Sequence, residues 1–538
     1  MLFGIEFALA ALLVTFAFTW RWTEPFARRL SSNPARSMLL IAILPVALRL
    51  ALLPNHPAPS PDVYDEFSHL LVADTLRHFR FANPPHALHQ FFETFFVLQT
   101  PSFASIYPIG QGLMLALGRA VFGHPWAGVI VSTAAFCGLC YWMLRGWVSP
   151  MWALAGGVLA VIEFGPLCSW MNSYWGGALA AAAGCLVFGA LPRLRALGRW
   201  RDAVLLGVGI GIHVLTRPYE SVFLVASAVL FFLPRPWRFW RALAIAAAVA
   251  LPALVLTAVQ NRQITSSWTT LPYTLSQYQY GVPAALTVQA NVTPHVELTP
   301  QQALDYKMQR GFHGERGETP GSFFGRLEYR VRFYRFFFLA PLYLALPAFF
   351  VSLRRRRYIW VAGTLALFAC GVNLFPAFQL HYLAGVTCLF VLVSIVGLEQ
   401  ICRLKAGREA AQLILLLCGA QFLFWYGVHL YDTATDLLPA TNYETWHNLD
   451  HGNLRRTAVN DALARAPGSQ LVFVRYSPQH AFQEEWVWNE ADIDAARVVW
   501  ARDLGPDENR KLIAYYPGRT TWLLEPDESP AQLTPYPH

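Results

Sequence analysis

Charge is what this sequence has least of. Only 14% of its 538 residues are charged while 55% are hydrophobic, and soluble domains carry roughly 25% charged residues. That balance excludes an ordinary soluble chain, and the length exceeds one soluble core. Cysteine is absent where it would matter for an exported domain. All eight (137, 140, 168, 185, 370, 388, 402 and 418) lie in or beside apolar runs, so no disulfide staples the polar stretches. Cys137 and Cys140 form a CxxC, but inside an apolar run and without a second pair, which reads as small packing residues. The sequence also lacks a glycine-rich phosphate loop, an internal repeat and a low-complexity tract. Those absences argue against a nucleotide site and against the pseudo-symmetric halves of many transporters.

What is present is a series of apolar runs, among them 2–20, 242–259 and 410–430, which approach or exceed the length needed to cross hydrocarbon. The first is followed by Arg21 without a small-residue cleavage site, and further runs come after it, so it reads as a retained helix. The net charge of +8 sits in short connections between runs: Arg21, Arg28, Arg29 and Arg36; Arg193, Arg195, Arg199 and Arg201; Arg235, Arg238 and Arg241; Arg354 to Arg357; Arg403, Lys405 and Arg408. This is a topological signal rather than a nucleic-acid footprint, and the positive-inside rule places all five clusters in the cytoplasm. Residues 54–107, 260–331 and everything beyond 431 then face the other side.

The fold class is therefore an α-helical polytopic membrane protein of about 11 to 13 spans with a small C-terminal extracytoplasmic α/β domain. Residues 1–431 form the transmembrane domain, with 54–107 and 260–331 as its outer loops, and 432–538 the α/β domain. Two helical hairpins turn on the outer side, one at Arg217-Pro218-Tyr219-Glu220 and one between Asn373 and Tyr382. Four runs (108–122, 126–144, 150–165 and 172–191) fall where an odd number is required, so either 108–122 or 150–165 does not cross. Beyond the last span, 454–465 and 508–515 read as helices, and 471–475, 497–501 and 520–524 as strands.

Three carboxylates crowd into the first outer loop in Pro61-Asp62-Val63-Tyr64-Asp65-Glu66-Phe67-Ser68-His69. Carboxylates held close together near apolar surface acquire raised or split pKa values, which suits one of them to take a proton from a hydroxyl. Asp65 and Glu66 equally fit the first turn of a helix running to His78. The loop continues through His86 and His89 to Tyr107-Pro108-Ile109-Gly110-Gln111-Gly112, whose prolines and glycines mark turns and close backbone approach. Two histidines in a proline-rich loop read as surface residues rather than metal ligands; a divalent cation is not favoured and no cofactor is called for. Asn172-Ser173-Tyr174-Trp175-Gly176-Gly177 combines polar, aromatic and flexible residues near a membrane boundary, fitting a sugar or prenyl contact or a plain interfacial belt.

The Asp65-Glu66 pair just past an early span, followed by a proline-containing juxtamembrane loop ending near Tyr107-Pro108, resembles the integral-membrane glycosyltransferases of the GT-C superfamily, especially the protein mannosyltransferase and aminoarabinose transferase branch. The resemblance implies Asp65 as catalytic base with Glu66 as its partner. It also implies a polyprenyl-phosphate sugar as donor and a hydroxyl-bearing acceptor, with inversion at the sugar carbon. In the aminoarabinose branch a lysine near the loop's end contacts donor phosphate; here Ser105-Ile106-Tyr107-Pro108 has none. A departing phosphate needs cations, and Arg217, set between two apolar arms, is the first candidate, with His381 and Tyr382 of the second hairpin after it. Pairing with Glu220 is the alternative use of Arg217. Asp62, Tyr107, Asn172, Tyr174 and Glu220 complete the expected substrate-binding set, while Arg330, Arg332 and Arg335 read as headgroup anchors. The rivals are a transporter or lipid-binding protein using the same charges, and a membrane anchor for the C-terminal unit. The arginine-rich inner loops fit a bacterial inner membrane with that unit in the periplasm.

Overall fold

The computed structural model describes residues 23–233, 239–314, 317–431, 445–446 and 454–537. The apolar run 2–20 and the arginines at 21, 235 and 238 lie outside the described residues. Among the described residues six helices are long and apolar enough to cross a membrane: Pro34–Ala51, Trp126–Leu144, Ala178–Leu197, Trp240–Thr265, Leu380–Ile401 and Gly407–Tyr431. With them stand shorter apolar helices, Ile109–Phe122, Pro150–Phe164 and Pro218–Phe232. The chain is an integral membrane protein, and its helices differ in setting: Leu380–Ile401 is almost wholly enclosed by its neighbours, whereas Trp240–Thr265 lies at the periphery. An enclosed segment meets protein rather than lipid and need not match the hydrocarbon thickness. Residues 332–354 are short turns, Arg332–Phe337, Ala340–Leu344, Leu346–Phe349 and Phe350–Arg354, rather than one continuous helix; Pro341 and Pro347 interrupt the ladder there.

The odd-count problem resolves at Ile109–Phe122. At one end of this helix, Gly110 abuts Leu215 and Thr216, beside the Arg217 turn; at the other, Arg119 faces Glu490 of the C-terminal unit across 3.8 Å. Both ends thus lie on the side that carries the sheet, so the helix runs along that face. Trp126–Leu144 and Ala178–Leu197 are long enough to cross, and Pro150–Phe164 is a shorter apolar helix between them. Gly112 allows this packing: a Cβ there would come within 2.3 Å of Val72 Cγ1 on the neighbouring helix Tyr64–Arg77. Gly112→Val is accordingly expected to drive the two helices apart and lower the melting temperature by several degrees, the effect of about 1–3 kcal/mol of overpacking, measurable by thermal unfolding in detergent.

Trp200–Thr216 and Pro218–Phe232 form the first hairpin, with Arg217 at the break. Arg356–Val372 and Thr387–Ile401, joined through 373–386, form the second. Tyr219 ties the two turns by donating to the Gly371 carbonyl at 2.9 Å. Arg330, expected among lipid headgroups, is instead buried. Its guanidinium donates to the carbonyls of Val372, Phe375 and Pro376 and to Asn373 Oδ1, binding the end of the Arg356–Val372 helix to the turn that follows it.

The C-terminal residues build a four-stranded sheet in the order β4-β3-β5-β6 from β3 (Gln470–Val474), β4 (Val498–Arg502), β5 (Thr520–Glu525) and β6 (Gln532–Pro535). β3 pairs parallel with β4 and β5, and β6 is antiparallel on β5. The helices Leu454–Arg465 and Pro506–Tyr515 accompany it. This sheet does not close its core alone. Leu471, Phe473, Val499 and Leu512 share one apolar cluster with Leu71, Phe91, Phe92 and Phe103 of the 54–107 stretch.

Candidate active site

The helix Tyr64–Arg77 carries the carboxylates, and each is used differently. Glu66 is spent on the backbone: one oxygen accepts from Asp62 N at 2.9 Å and Val63 N at 3.4 Å, the other from Tyr174 N at 2.8 Å. It thus caps the helix start and pins the 165–177 segment to it. Asp62 faces the C-terminal unit, where its carbonyl accepts from Glu485 N and its charge acts on Arg456 and Glu484. Asp65 is 7% exposed and accepts a hydrogen bond from the Tyr107 hydroxyl.

Burial pushes the Asp65 carboxyl up to about 7. The Tyr107 hydrogen bond opposes that rise, the charges of Asp305 and Glu66 add to it, and Arg217 pulls it back. Loss of the Tyr107 donor therefore has a signed consequence. Tyr107→Phe is expected to move the rising limb of activity to higher pH by about one to two units, since a hydrogen bond to a charged group contributes about 1.5–3 kcal/mol. A pH–rate profile of the variant checks it.

Tyr107 is itself held. Its carbonyl accepts from Gln260 on the Trp240–Thr265 helix, its amide donates to Ser105 Oγ, and Ser105 Oγ shares a hydrogen bond with Ser68, one helical turn beyond Asp65. Ser105 belongs to the hairpin of β1 (Val97–Leu98) and β2 (Ala104–Ser105). The ring of Phe96, whose backbone is left-handed at φ 55°, a conformation uncommon for a bulky residue, closes edge-on over Tyr64 and Tyr107.

Opposite stands Arg217, half-buried at the hairpin break. Its guanidinium lies 5.5 Å from the centre of the Tyr382 ring, and among the described residues it makes no hydrogen bond and no ion pair within 4.0 Å, Glu220 included. Its charge reaches Asp65, His69 and Tyr273. His381 packs between Trp175 and Tyr382, with ring centres 5.2 and 5.1 Å away. The structure therefore gathers Asp65, Tyr107, Arg217, His381 and Tyr382, from four separate stretches of chain, into one electrostatic neighbourhood.

Other expected residues do not join it. Asn172 is buried and fully engaged, accepting from Arg49 Nε and donating to the carbonyls of Pro166 and Cys168. Tyr174 gives its hydroxyl to the Pro59 carbonyl. Both are posts of the 165–177 segment, and Trp175 of that stretch is half-buried. Glu220 is buried one turn beyond Arg217. His86 reaches Tyr516 and Asp494 of the C-terminal unit, and His89 faces Glu93. Among the described residues no three His, Cys, Asp or Glu side chains are grouped to hold a metal ion.

Two residues join the neighbourhood that sequence reasoning did not single out. His69, four residues after Asp65, stacks on Tyr107 with ring centres 4.3 Å apart; the i, i+4 spacing on one helix was its available signal. Asp305, wholly buried on the helix Pro300–His313 and bonded to Gln309, raises Asp65 through its charge and is itself pushed up to about 6 by burial. Nothing in its local sequence marks it.

The C-terminal unit braces this helix along its length. Glu484 bridges Val63, the Trp488 indole donates to the Phe67 carbonyl at 2.9 Å, and Ala491 N donates to Asp74 Oδ2 at 2.8 Å. Arg456 lies over the Phe67 ring at 4.4 Å.

No protein-family model matches the chain, and no curated protein matches it. Solved structures do. ArnT from Cupriavidus metallidurans in the apo state superposes on 90% of this chain and 92% of its own with a TM-score of 0.50 at 12% identity. The same protein bound to undecaprenyl phosphate gives 0.49 at 12% identity over 90% of this chain and 92% of that one. The Archaeoglobus fulgidus oligosaccharyltransferase tethered with an acceptor peptide gives 0.45 at 10% identity, over 91% of this chain and 69% of that one.

Proposed function

From a chain with the GT-C fold, we propose a membrane-embedded glycosyltransferase that moves a sugar from a polyprenyl-phosphate to a hydroxyl acceptor at the face carrying the C-terminal unit. The observation that carries this reading is the pairing, within one neighbourhood, of a buried carboxylate poised near neutral pH with an arginine that has no ion-pair partner among the described residues. A general base works best with a pKa near the working pH, and a leaving phosphate needs a cation where its charge develops. Asp65 takes the proton of the acceptor hydroxyl while that oxygen attacks the anomeric carbon. The bond from that carbon to the phosphate oxygen breaks, and the polyprenyl phosphate leaves toward Arg217, with His381 and Tyr382 flanking it. One displacement inverts the anomeric centre.

In this reading Glu66 is a positioning residue for the Asp65 helix, and Asp305 keeps Asp65 from ionising too readily. The basic clusters put the catalytic face outside the cytoplasm, which in a bacterium is the periplasmic face of the inner membrane, and residues 432–538 form the unit exposed there. The test is transfer or release of labelled sugar from a panel of polyprenyl-phosphate sugars by the purified protein in lipid. Turnover of one member is the expected result; no turnover and no binding of any member would remove the reading.

A further inference from the structure

We infer that His69 recognises a hydroxyl group of the donor sugar and so helps decide which lipid-linked sugar is accepted; this rests on the function proposed above. His69 is 5% exposed, and neither of its ring nitrogens has a hydrogen-bond partner among the described residues. Three other buried imidazoles each engage a ring nitrogen. His56 reaches the His429 carbonyl, His86 reaches Tyr516, and His213 reaches Ser221. Leaving a buried polar group unmet is costly, and such groups in a native structure call for an explanation.

Position supplies one. His69 lies one turn beyond Asp65 on the same helix face. One face of its ring is fixed against Tyr107, the donor to Asp65, and it is an electrostatic neighbour of Arg217 and His381. Tyr382, Tyr273 and Trp175, all half-buried, belong to the same region, so the unmet nitrogens share the neighbourhood of the groups assigned to the proposed chemistry.

The ring's protonation selects the ligand. Burial, with the Arg217 charge added, holds the His69 pKa down to about 3, so the imidazole is neutral at working pH and presents one N–H donor and one acceptor. A phosphate oxygen only accepts, and Arg217 is there for it. A sugar hydroxyl both donates and accepts, and matches the neutral ring at its edge.

The experiment uses the full chain in nanodiscs with undecaprenyl-phosphate-linked glucose, mannose, galactose and arabinose, and the monodeoxy analogues of whichever sugar is turned over. His69→Phe is expected to lower kcat/KM about 10- to 100-fold, mostly through KM, because a site built around a buried hydrogen bond loses discrimination when it is removed. His69→Gln, which keeps a donor and an acceptor, is expected to recover most of the loss. One monodeoxy analogue should lose the same factor with the wild type and nothing further with His69→Phe. The melting temperature of His69→Phe should not fall, since the change removes unmet polar atoms; a fall in both variants would mark the ring as a packing element and overturn the inference. If the wild type turns over a sugar and His69→Phe matches it on every analogue, this inference alone fails. If the wild type neither binds nor turns over any sugar on the panel, glycosyl transfer fails and this inference with it.

Discussion

Asp65→Asn is expected to lower sugar transfer by about 10²- to 10⁴-fold, the usual worth of a positioned general base, with donor binding little changed. The same substitution should make the protein more stable at alkaline pH. Burial holds the Asp65 carboxyl at about 7 in the folded chain, against about 3.9 when unfolded. Between those values the folded state holds the extra proton, so this group's contribution to stability is lost as pH rises from the lower value through the upper one. Above pH 7 the wild type carries a buried anion beside Asp305, and the Asn variant does not. A melting temperature that rises at pH 8 and is unchanged near pH 4, together with lost turnover, would show a residue kept for chemistry at the expense of stability. Turnover that survives the substitution would remove Asp65 as the base. Wild-type activity should rise with pH through about 7, following ionisation of this carboxylate.

Arg217→Ala is the second large effect. A cation aimed at a developing phosphate charge is worth about 10²- to 10³-fold in kcat when removed, and here no other ion pair competes for the guanidinium among the described residues. Arg217→Lys should restore part of the rate, because charge survives while the two-pronged geometry does not. The alternative, in which Arg217 serves mainly to pair with Glu220, makes a different forecast: Glu220→Gln would then be nearly as damaging as Arg217→Ala and would lower the melting temperature with it. Single-turnover kinetics with a labelled donor separate the two, since loss of leaving-group stabilisation slows the chemical step at saturating donor.

Much of the fold was legible because membrane crossing imposes coarse rules. Apolar runs and arginine clusters located the two hairpins, and the break at Arg217 falls at the expected position between Trp200–Thr216 and Pro218–Phe232. The strands of the C-terminal unit also fall within a residue or two of the alternating runs that announced them, apart from β6, whose Gln532–Pro535 has little apolar pattern. What the sequence left open was which of 108–122 and 150–165 fails to cross, because length and composition are alike and only the contacts of Gly110 and Arg119 separate them. Within the site, the carboxylates were visible as a cluster, but their division of labour was not. Whether Asp65 or Glu66 is free depends on where three backbone amides point, and that is decided by Tyr174, 108 residues away from Glu66. Asp305 was invisible for the same reason: its relation to Asp65 exists only after two outer loops have met.

The brace on the Asp65 helix sets an order of events. Phe67 is made early, and the indole that holds its carbonyl comes 421 residues later; the amide that holds Asp74 comes 417 residues later. A nascent chain therefore carries Asp65 through the whole of membrane insertion without the support that fixes its helix. A part synthesised later finishes a part synthesised earlier, so the Asp65 helix gains its brace after the intervening helices are made rather than during their threading.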